Sequence, residues 1–362
     1  MGERMAQEPF RAVKGRGALS NPCNRFDVRQ TETFDDNSNK ADEKNPPPST
    51  VYLKESIKTI ISQNTSPDIG FEKSINPYRG CEHGCIYCYA RPTHAYWDLS
   101  PGLDFESRII IKEKAAEQLR ESLSKQGYRV KPICIGANTD PYQPIEAQLK
   151  LTRSIIEVLA EFQHPFSIIT KSHLITRDLD LLKPLAEKRL CEIAISVTTL
   201  DKHLKRILEP RAPSGQKRLQ CIKTLSDAGI KVTIIAAPMI PFINDQELEK
   251  ILEAGRESGA SDAKYILIRL PLEVSKMFRE WLQMYFPDRA ARVMNVIRQC
   301  RGGNDYRSEF GERMVGTGPF AALLNQRWRV AIRQLGFSDS SSHSYKLDCS
   351  QFQRSQKQMV LF

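Results

Sequence analysis

From residue 51 onward, short apolar runs alternate with amphipathic stretches along the chain. The apolar runs predict β-strands at 72–76, 132–136, 166–170, 192–197, 231–236 and 265–270. The intervening stretches repeat apolar residues at helical spacing and predict α-helices at roughly 112–125, 151–161, 178–188, 214–228 and 245–257. Strands that alternate with helices indicate a parallel α/β fold, a pattern shared by open doubly wound sheets and by barrels.

The same pattern divides the chain into three parts. Residues 1–50 lack sustained apolar periodicity and end near Asn45-Pro46-Pro47-Pro48, which predicts a flexible N-terminal arm and linker. Residues 51–287 carry the strand–helix repeat. Residues 288–362 predict a basic C-terminal extension with a helix at 319–335 and a flexible polar tail. A chain of 362 residues is long enough for one large domain with such extensions.

Composition narrows the class of protein. A hydrophobic content of 40% is sufficient for a buried core, and no apolar run approaches the length of a membrane span. The first residues are charged and lack the apolar stretch of a secretory signal. The nine cysteines occur singly except in one cluster, which favours a reducing cytoplasm over a disulfide framework. The net charge of +10 favours a polyanionic partner.

The cysteine cluster is the strongest chemical signal. It is the run Cys81-Glu82-His83-Gly84-Cys85-Ile86-Tyr87-Cys88. A 4Fe-4S cluster takes four ligands, so three cysteines on one loop leave one iron with an open coordination site. Structural zinc uses four closed ligands, most often as two separated pairs. A zinc knuckle completed by His83 or His94, and a chance group of free thiols, are the alternatives.

The C-x₃-C-x₂-C spacing, with Tyr87 directly before the third cysteine, resembles the signature of the radical S-adenosylmethionine (SAM) enzymes. The resemblance implies a 4Fe-4S cluster held by Cys81, Cys85 and Cys88, with SAM bound to the open iron and Tyr87 beside it. Reduced by a protein such as flavodoxin or ferredoxin, such a cluster cleaves SAM to a 5′-deoxyadenosyl radical. The resemblance also implies a partial (β/α)₆ barrel of the TIM type, whose active site lies at the carboxyl ends of the strands.

Polar segments follow the predicted strands where such a barrel would carry its site. Over about 71–270 they resemble the spore photoproduct lyase branch of the radical SAM enzymes. In that branch a lysine and a serine at successive strand ends help to hold SAM, and they match Lys171 and Ser196. The polar turn after the second strand would contribute Asn138, Thr139 or Asp140. The alternatives are a solvated Lys171 and an Asp140 that only fixes its turn.

One departure separates this chain from the lyase. The lyase has a hydrogen-donating cysteine in the turn after its second strand, and here that turn reads Ala137-Asn138-Thr139. The nearest thiol, Cys134, is predicted inside the strand. The sequence therefore predicts a lyase-like enzyme and leaves its catalytic residue toward substrate unknown.

The C-terminal extension is rich in arginine. Nine arginines and no lysine lie between 289 and 333, with aromatic residues among them. Arginine beside aromatic rings suits phosphate contacts and base stacking, so Arg301, Arg307 and Arg313 are predicted to bind nucleic acid. The alternative is a solvated helix face, with Trp328 in the core.

The last five residues read Gln358-Met359-Val360-Leu361-Phe362. They resemble the short peptide by which bacterial DNA-repair and replication proteins bind the sliding clamp. In that interpretation Gln358 makes a polar contact, and Leu361 and Phe362 fill an apolar pocket. A tail that folds back on its own core is the alternative.

Three classes of function follow. The first is a radical SAM enzyme acting on DNA or another nucleic acid in a repair-like reaction. The second is a radical SAM enzyme that modifies a protein or a small molecule. The third is an iron–sulfur or zinc binding module without catalysis.

Overall fold

The computed structural model describes residues 12–26, 49–337 and 347–354. The β-strands are β1 (Val51–Lys54), β2 (Ile61–Gln63), β3 (Lys73–Ile75), β4 (Tyr78–Arg79), β5 (Arg108–Ile111), β6 (Ile133–Ile135), β7 (Phe166–Thr170), β8 (Cys191–Ser196), β9 (Val232–Met239) and β10 (Asp262–Leu267). The α-helices are α1 (Leu103–Ser107), α2 (Ala115–Ser124), α3 (Glu146–Leu149), α4 (Leu151–Glu161), α5 (Leu179–Glu187), α6 (Lys202–Leu208), α7 (Gly215–Asp227), α8 (Leu248–Glu257), α9 (Glu273–Tyr285), α10 (Pro287–Gln299) and α11 (Gly318–Gln334). Short 3₁₀ helices lie at Arg91–Trp97, His173–Asp178 and Asp245–Glu247.

The larger sheet has seven strands in the order β10-β9-β8-β7-β6-β3-β2. From β3 to β10 neighbouring strands are parallel, and β2 is antiparallel to β3. This order follows the chain without the reversal that defines a doubly wound sheet. Of the described strands, β10 pairs with β9 alone, so the sheet curves without closing. The fold is the expected partial (β/α)₆ barrel, which gathers the carboxyl ends of its strands at one face.

Burial alternates along the barrel strands. In β7 the side chains of Phe166, Ile168 and Thr170 are buried, whereas Ser167 and Ile169 are less buried. The buried set belongs to a large core that includes residues of the outer helices, such as Ile155 of α4. Since successive strand residues face opposite sides of a sheet, the less buried set faces the barrel interior. The barrel interior contains a cavity that Ile169 helps to line.

Most predicted elements agree with the structure to within a few residues. The strand at 166–170 and the helix at 151–161 match β7 and α4. The strand expected at 265–270 is shifted, because the β9–β10 register changes between Tyr265 and Leu267 and the strand ends at Leu267. The small sheet β1-β5-β4 was not predicted, since its apolar core, 109–111, directly precedes the predicted helix.

The described part of the N-terminal arm has defined contacts. The backbone N–H groups of Gly17 and Ala18 donate to the two carboxylate oxygens of Glu106, at 2.8 and 2.9 Å. The Ser20 hydroxyl donates to Glu280 of α9 at 2.6 Å. Residues 12–26, expected to be flexible, are thus fixed on the barrel.

The residues predicted to bind the sliding clamp, Gln358, Leu361 and Phe362, lie outside the described residues, so that contact stays a prediction.

Among the helices that are described, none combines the length and the apolar character needed to cross a membrane.

Candidate active site

The cysteine loop follows β4 and lies at the face formed by the carboxyl ends of the parallel strands. Cys81, Cys85 and Cys88 line one cavity of about 200 Å³ together with residues of the turn after β6 and of β7 to β10. Backbone hydrogen bonds fix the loop: Cys81 N donates to the carbonyl of Phe105 at 2.9 Å, and Cys88 N to that of Cys85 at 3.2 Å. The three thiols therefore share one cavity with the strand ends.

Two glycines allow the tight path of this loop. Gly80 and Gly84 have φ angles of 75° and 66°, in the left-handed region. A Cβ at Gly84 would lie 2.7 Å from a carboxylate oxygen of Glu106. That carboxylate also forms a buried ion pair with Arg91 and accepts the N–H groups of the N-terminal segment. Glu106 thus joins the cysteine loop to the arm.

The donor set fits an iron–sulfur cluster. Cys81 and Cys85 are buried and Cys88 is partly buried. Burial raises the pKa of Cys81, and it raises that of Cys85 to about 12. In the described residues no three His, Cys, Asp or Glu side chains are placed to hold a single metal ion. A 4Fe-4S cluster instead binds each thiolate through a separate iron.

The two histidines considered as zinc ligands have other partners. His83 lines the cavity, and its Nδ1 lies 3.4 Å from Oδ2 of Asp140. His94 is fully buried, and its Nε2 lies 3.0 Å from the carbonyl oxygen of Arg108. Burial lowers the pKa of His94 to about 4, so the ring is neutral at pH 7. His94 is not among the residues that line the cavity.

Tyr87 is held by a buried polar network. Its hydroxyl donates to Glu209 and lies 3.1 Å from Oγ1 of Thr198. Glu209 in turn forms a buried ion pair with Arg218 of α7. Burial alone would raise the pKa of Glu209, but the Arg218 and Lys171 cations lower it to about 2. Neither Glu209 nor Arg218 was predicted from the sequence as a site residue; the polar run Glu209-Pro210-Arg211 after β8 is a signal for Glu209 alone.

Lys171 follows β7 and lines the cavity. Its Nζ lies 5.9 Å from the centre of the Tyr87 ring. Burial alone would lower its pKa, but the electrostatic interactions with the Cys85 and Glu209 side chains raise it above the ordinary value. The ammonium group therefore stays charged beside the Tyr87 ring.

Asp140 organises the turn beside Lys171. Its two oxygens accept the Thr170 hydroxyl at 2.6 Å, the Tyr142 N–H at 2.9 Å and the Lys171 N–H at 2.8 Å. Burial would raise its pKa, but His83 and these donors lower it to about 2. Because its oxygens are occupied by these donors, the contribution of Asp140 to the cavity is to position Lys171 and His83.

The remaining predicted SAM residues differ in placement. Ser196 lines the cavity, with its hydroxyl 3.3 Å from the carbonyl oxygen of Ala237. Asn138 lines it too, and its backbone N–H donates to Asn76 at 2.8 Å. Thr139 is buried, does not line the cavity, and donates its hydroxyl to the carbonyl of Tyr78 at 2.7 Å.

The opposite wall of the cavity carries Arg269, which follows β10. Its guanidinium carbon lies 4.4 Å from the centre of the Tyr89 ring. The Tyr89 hydroxyl donates to the carbonyl of Ala137, in the turn after β6. Burial raises the pKa of Tyr89 to about 12, so its hydroxyl keeps its proton. Neither Arg269 nor Tyr89 was predicted from the sequence as a site residue.

The three arginines predicted to bind nucleic acid have different surroundings. Arg301 is 1% exposed, and its guanidinium donates to four backbone carbonyls, so it has a structural position instead of a surface one. Arg307 pairs with Glu309 and Glu312. Arg313 pairs with Asp68 at 2.5 Å, and its guanidinium carbon lies 5.0 Å from the centre of the Phe310 ring.

Residues 75–255, half of the chain, match the model of the Radical SAM superfamily. The chain belongs to the radical SAM superfamily. Members of this superfamily use a 4Fe-4S cluster and SAM, which are therefore the cofactors of this protein. Cys81, Cys85 and Cys88, the predicted ligands of such a cluster, line the cavity together.

Two uncharacterized relatives share much of the chain. A Mycobacterium tuberculosis protein is 34% identical over 251 residues, which are 69% of this chain and 73% of that protein. A Methanocaldococcus jannaschii protein is 30% identical over 243 residues, which are 67% of this chain and 86% of that protein.

Solved structures show the same fold. Spore photoproduct lyase complexed with dinucleoside spore photoproduct has a TM-score of 0.55 and 17% identity, and the match covers 78% of this chain and 79% of the lyase chain. A variant of that lyase with bound SAM has a TM-score of 0.54 and 16% identity, with the same coverage. The lyase-like fold expected from the sequence is confirmed.

Proposed function

We propose that this radical SAM protein is an enzyme that acts on DNA or another nucleic acid in a repair-like reaction. When bound, the cluster and SAM supply the reductive cleavage of SAM to a 5′-deoxyadenosyl radical, which takes a hydrogen atom from the substrate. The observation that carries the catalytic part of the proposal is the cavity in which Cys81, Cys85 and Cys88 face Lys171 and Ser196.

The side chains of the cavity have distinct roles in this proposal. The three thiols hold the cluster. The Lys171 ammonium binds the carboxylate of SAM, because a charge-assisted hydrogen bond is strong in a buried site. Ser196 and Asn138 offer further polar groups to SAM. The Tyr87 ring, fixed through its hydroxyl by Glu209 and Thr198, supplies a flat surface beside the cofactor.

The nucleic-acid part of the proposal rests on contacts between arginine side chains and exposed aromatic rings. Of the exposed aromatic side chains in the described residues, all but Tyr52 have a guanidinium over the ring. Arg25 covers both Phe26 and Tyr96, at 4.6 and 5.1 Å from the ring centres. A cation beside an exposed ring suits a phosphate next to an unstacked base. The net charge of +10 supports the same partner.

Binding of a single-stranded DNA oligonucleotide tests this proposal, with the anaerobically reconstituted protein and a salt titration. Tyr96, 70% exposed, is changed to Ala, and Leu323, an exposed residue of α11, is changed to Ala as the control. Loss of base stacking is worth about 1–3 kcal/mol, so Tyr96→Ala should bind about tenfold more weakly and Leu323→Ala like wild type. Wild-type affinity should fall as salt rises.

The opposite result would favour the second class of function, a radical SAM enzyme that modifies a protein or a small molecule. If wild-type protein cleaves SAM but binds neither this oligonucleotide nor its duplex and RNA counterparts, even at low salt, the substrate is a protein or a small molecule. If Tyr96→Ala and Leu323→Ala bind DNA equally well, the arginine–aromatic surface is not the binding site.

A further inference from the structure

The Arg269 side chain has a role in the cavity that cofactor binding leaves unexplained. Its guanidinium lies over the Tyr89 ring and forms part of the cavity wall. Its Nη1 donates to the Met314 sulfur at 3.2 Å, and a thioether is a weak acceptor. Its Nε is buried and has no hydrogen-bond partner among the described residues. A planar group with five donors is therefore held in place with most of its donors unused.

The charge of Arg269 is also uncompensated. Within the described ranges no carboxylate forms an ion pair with it, whereas Arg307 pairs with two carboxylates and Arg313 with one. The neighbouring Arg301 adds a second cation, and burial, followed by the proximity of Arg269, lowers the pKa of Arg301. A half-buried cation without a counter-charge is unfavourable. Among the described residues, the Arg269 guanidinium therefore has no negatively charged partner on this wall of the cavity.

The surrounding chain fixes this wall. Arg301 donates to the carbonyls of Leu267 and Ile268 at the end of β10, and to those of Glu312 and Arg313. The backbone N–H of Leu267 donates to the carbonyl of Met314 at 2.9 Å. These contacts hold the C-terminal extension against the strand that positions Arg269. The site is thus built from the barrel and the extension together.

The missing anion is distinct from the SAM carboxylate assigned to Lys171. Lys171 follows β7 and Arg269 follows β10, with β8 and β9 between them. The proposed function assigns the carboxylate of SAM to Lys171, so that carboxylate is not available to Arg269. SAM carries one carboxylate and no phosphate, so a second anion on this wall comes from another molecule.

We propose that Arg269 binds a phosphodiester group of the substrate strand at the cavity, while the Tyr89 ring stacks with the adjacent base. This inference rests on the proposed nucleic-acid substrate. The guanidinium fork matches the geometry of phosphate oxygens, and Tyr89 is 39% exposed. Arg313, next to Met314, stacks on Phe310 and extends the same cation–aromatic pattern away from the cavity.

A double-mutant cycle between protein and oligonucleotide tests the contact. The reconstituted protein with SAM binds a single-stranded oligonucleotide in which one neutral methylphosphonate replaces each phosphate in turn. The variants are Arg269→Gln, Arg269→Lys and a charge-matched control, Arg120→Gln, on the outer surface of α2. Melting temperatures check that each variant is folded.

We expect the Arg269 contact to involve one phosphodiester linkage of the oligonucleotide. Arg269→Gln should bind about tenfold more weakly, Arg269→Lys should retain part of the affinity, and Arg120→Gln should resemble wild type. The salt slope of Arg269→Gln should fall by about 0.7, the value for one phosphate of a single strand. One methylphosphonate position should weaken wild-type binding and have no further effect in Arg269→Gln.

Four outcomes would overturn the inference. Equal affinity and salt slope for Arg269→Gln and wild type would remove the phosphate contact while the proposed function stands. Wild-type protein that does not bind the oligonucleotide would remove both. An Arg269→Gln protein whose SAM affinity falls tenfold without oligonucleotide would assign Arg269 to the cofactor. Arg269-dependent binding of an acidic peptide, with no dependence for DNA, would assign it to a protein substrate.

Discussion

At the scale of single residues, the cavity combines a charged lysine with an aromatic ring that cannot rotate freely. The Tyr87 hydroxyl is held by Glu209, and Glu209 is held by Arg218. Lys171 lies over the Tyr87 ring and receives its backbone position from Asp140. A cofactor would therefore meet groups that are already oriented, which reduces the entropy lost on binding.

Lys171 gives the residue-scale prediction. Lys171→Gln removes the cation while the side chain keeps much of its length, so SAM affinity should fall about tenfold or more, since hydrogen bonds to charged groups are worth about 1.5–3 kcal/mol. Iron content should remain at the wild-type level, because the cysteines are unchanged. Anaerobic calorimetric titration with SAM measures the effect, with the surface variant Lys188→Gln as control. Wild-type SAM affinity in Lys171→Gln would refute the assignment.

At the scale of elements, the N-terminal segment 12–26 packs against the cysteine loop. Gly17 approaches the cysteine loop so closely that a Cβ on it would lie 1.8 Å from the carbonyl oxygen of Gly84. The adjacent Ala18 belongs to the same buried cluster as Cys85 and Ile86. This segment therefore covers the loop that carries the thiols.

Gly17→Ala should release this segment, because the added methyl cannot be placed without moving one of the two backbones. Proteolysis within 12–26 should become faster, and reconstituted iron should be lost sooner in air. Gly70→Ala is the matched control, since a Cβ at Gly70 has no heavy atom within 4 Å. If the two variants show the same cleavage and iron-loss rates, the segment does not protect the loop.

At the scale of the whole molecule, the sequence pattern was sufficient for the strands, the helices and the cysteine loop. These are local signals: alternating apolar runs define β7 and α4, and the spacing of three cysteines is visible in one line of sequence. The choice of a barrel over a doubly wound sheet came from the family resemblance. Residues that depend on distant partners were not predictable. Glu209 accepts a hydrogen bond from Tyr87, which lies 122 positions earlier in the chain. Gly17 donates to Glu106, which lies 89 positions later.

The arginines show why amino-acid composition alone could not identify which guanidinium groups are available to a ligand. Arg301 and Arg313 occur in the same arginine-rich stretch, yet Arg301 is buried among backbone carbonyls and Arg313 is ion-paired with Asp68. Arg269, outside that stretch, is the arginine on the cavity wall. Sequence patterns give the charge of a region, and only the tertiary contacts show which guanidinium groups remain available.

In the proposed function, Cys81, Cys85 and Cys88 hold the cluster at which SAM is cleaved. The most direct measurement is iron content together with 5′-deoxyadenosine formation from SAM under dithionite, after anaerobic reconstitution with iron and sulfide. Wild type and Cys349→Ala, a control thiol of similar partial exposure to Cys88, should bind about four irons per chain and form the product. Cys88→Ala should lose most of both. A Cys88→Ala protein with wild-type iron content and product formation would contradict the account.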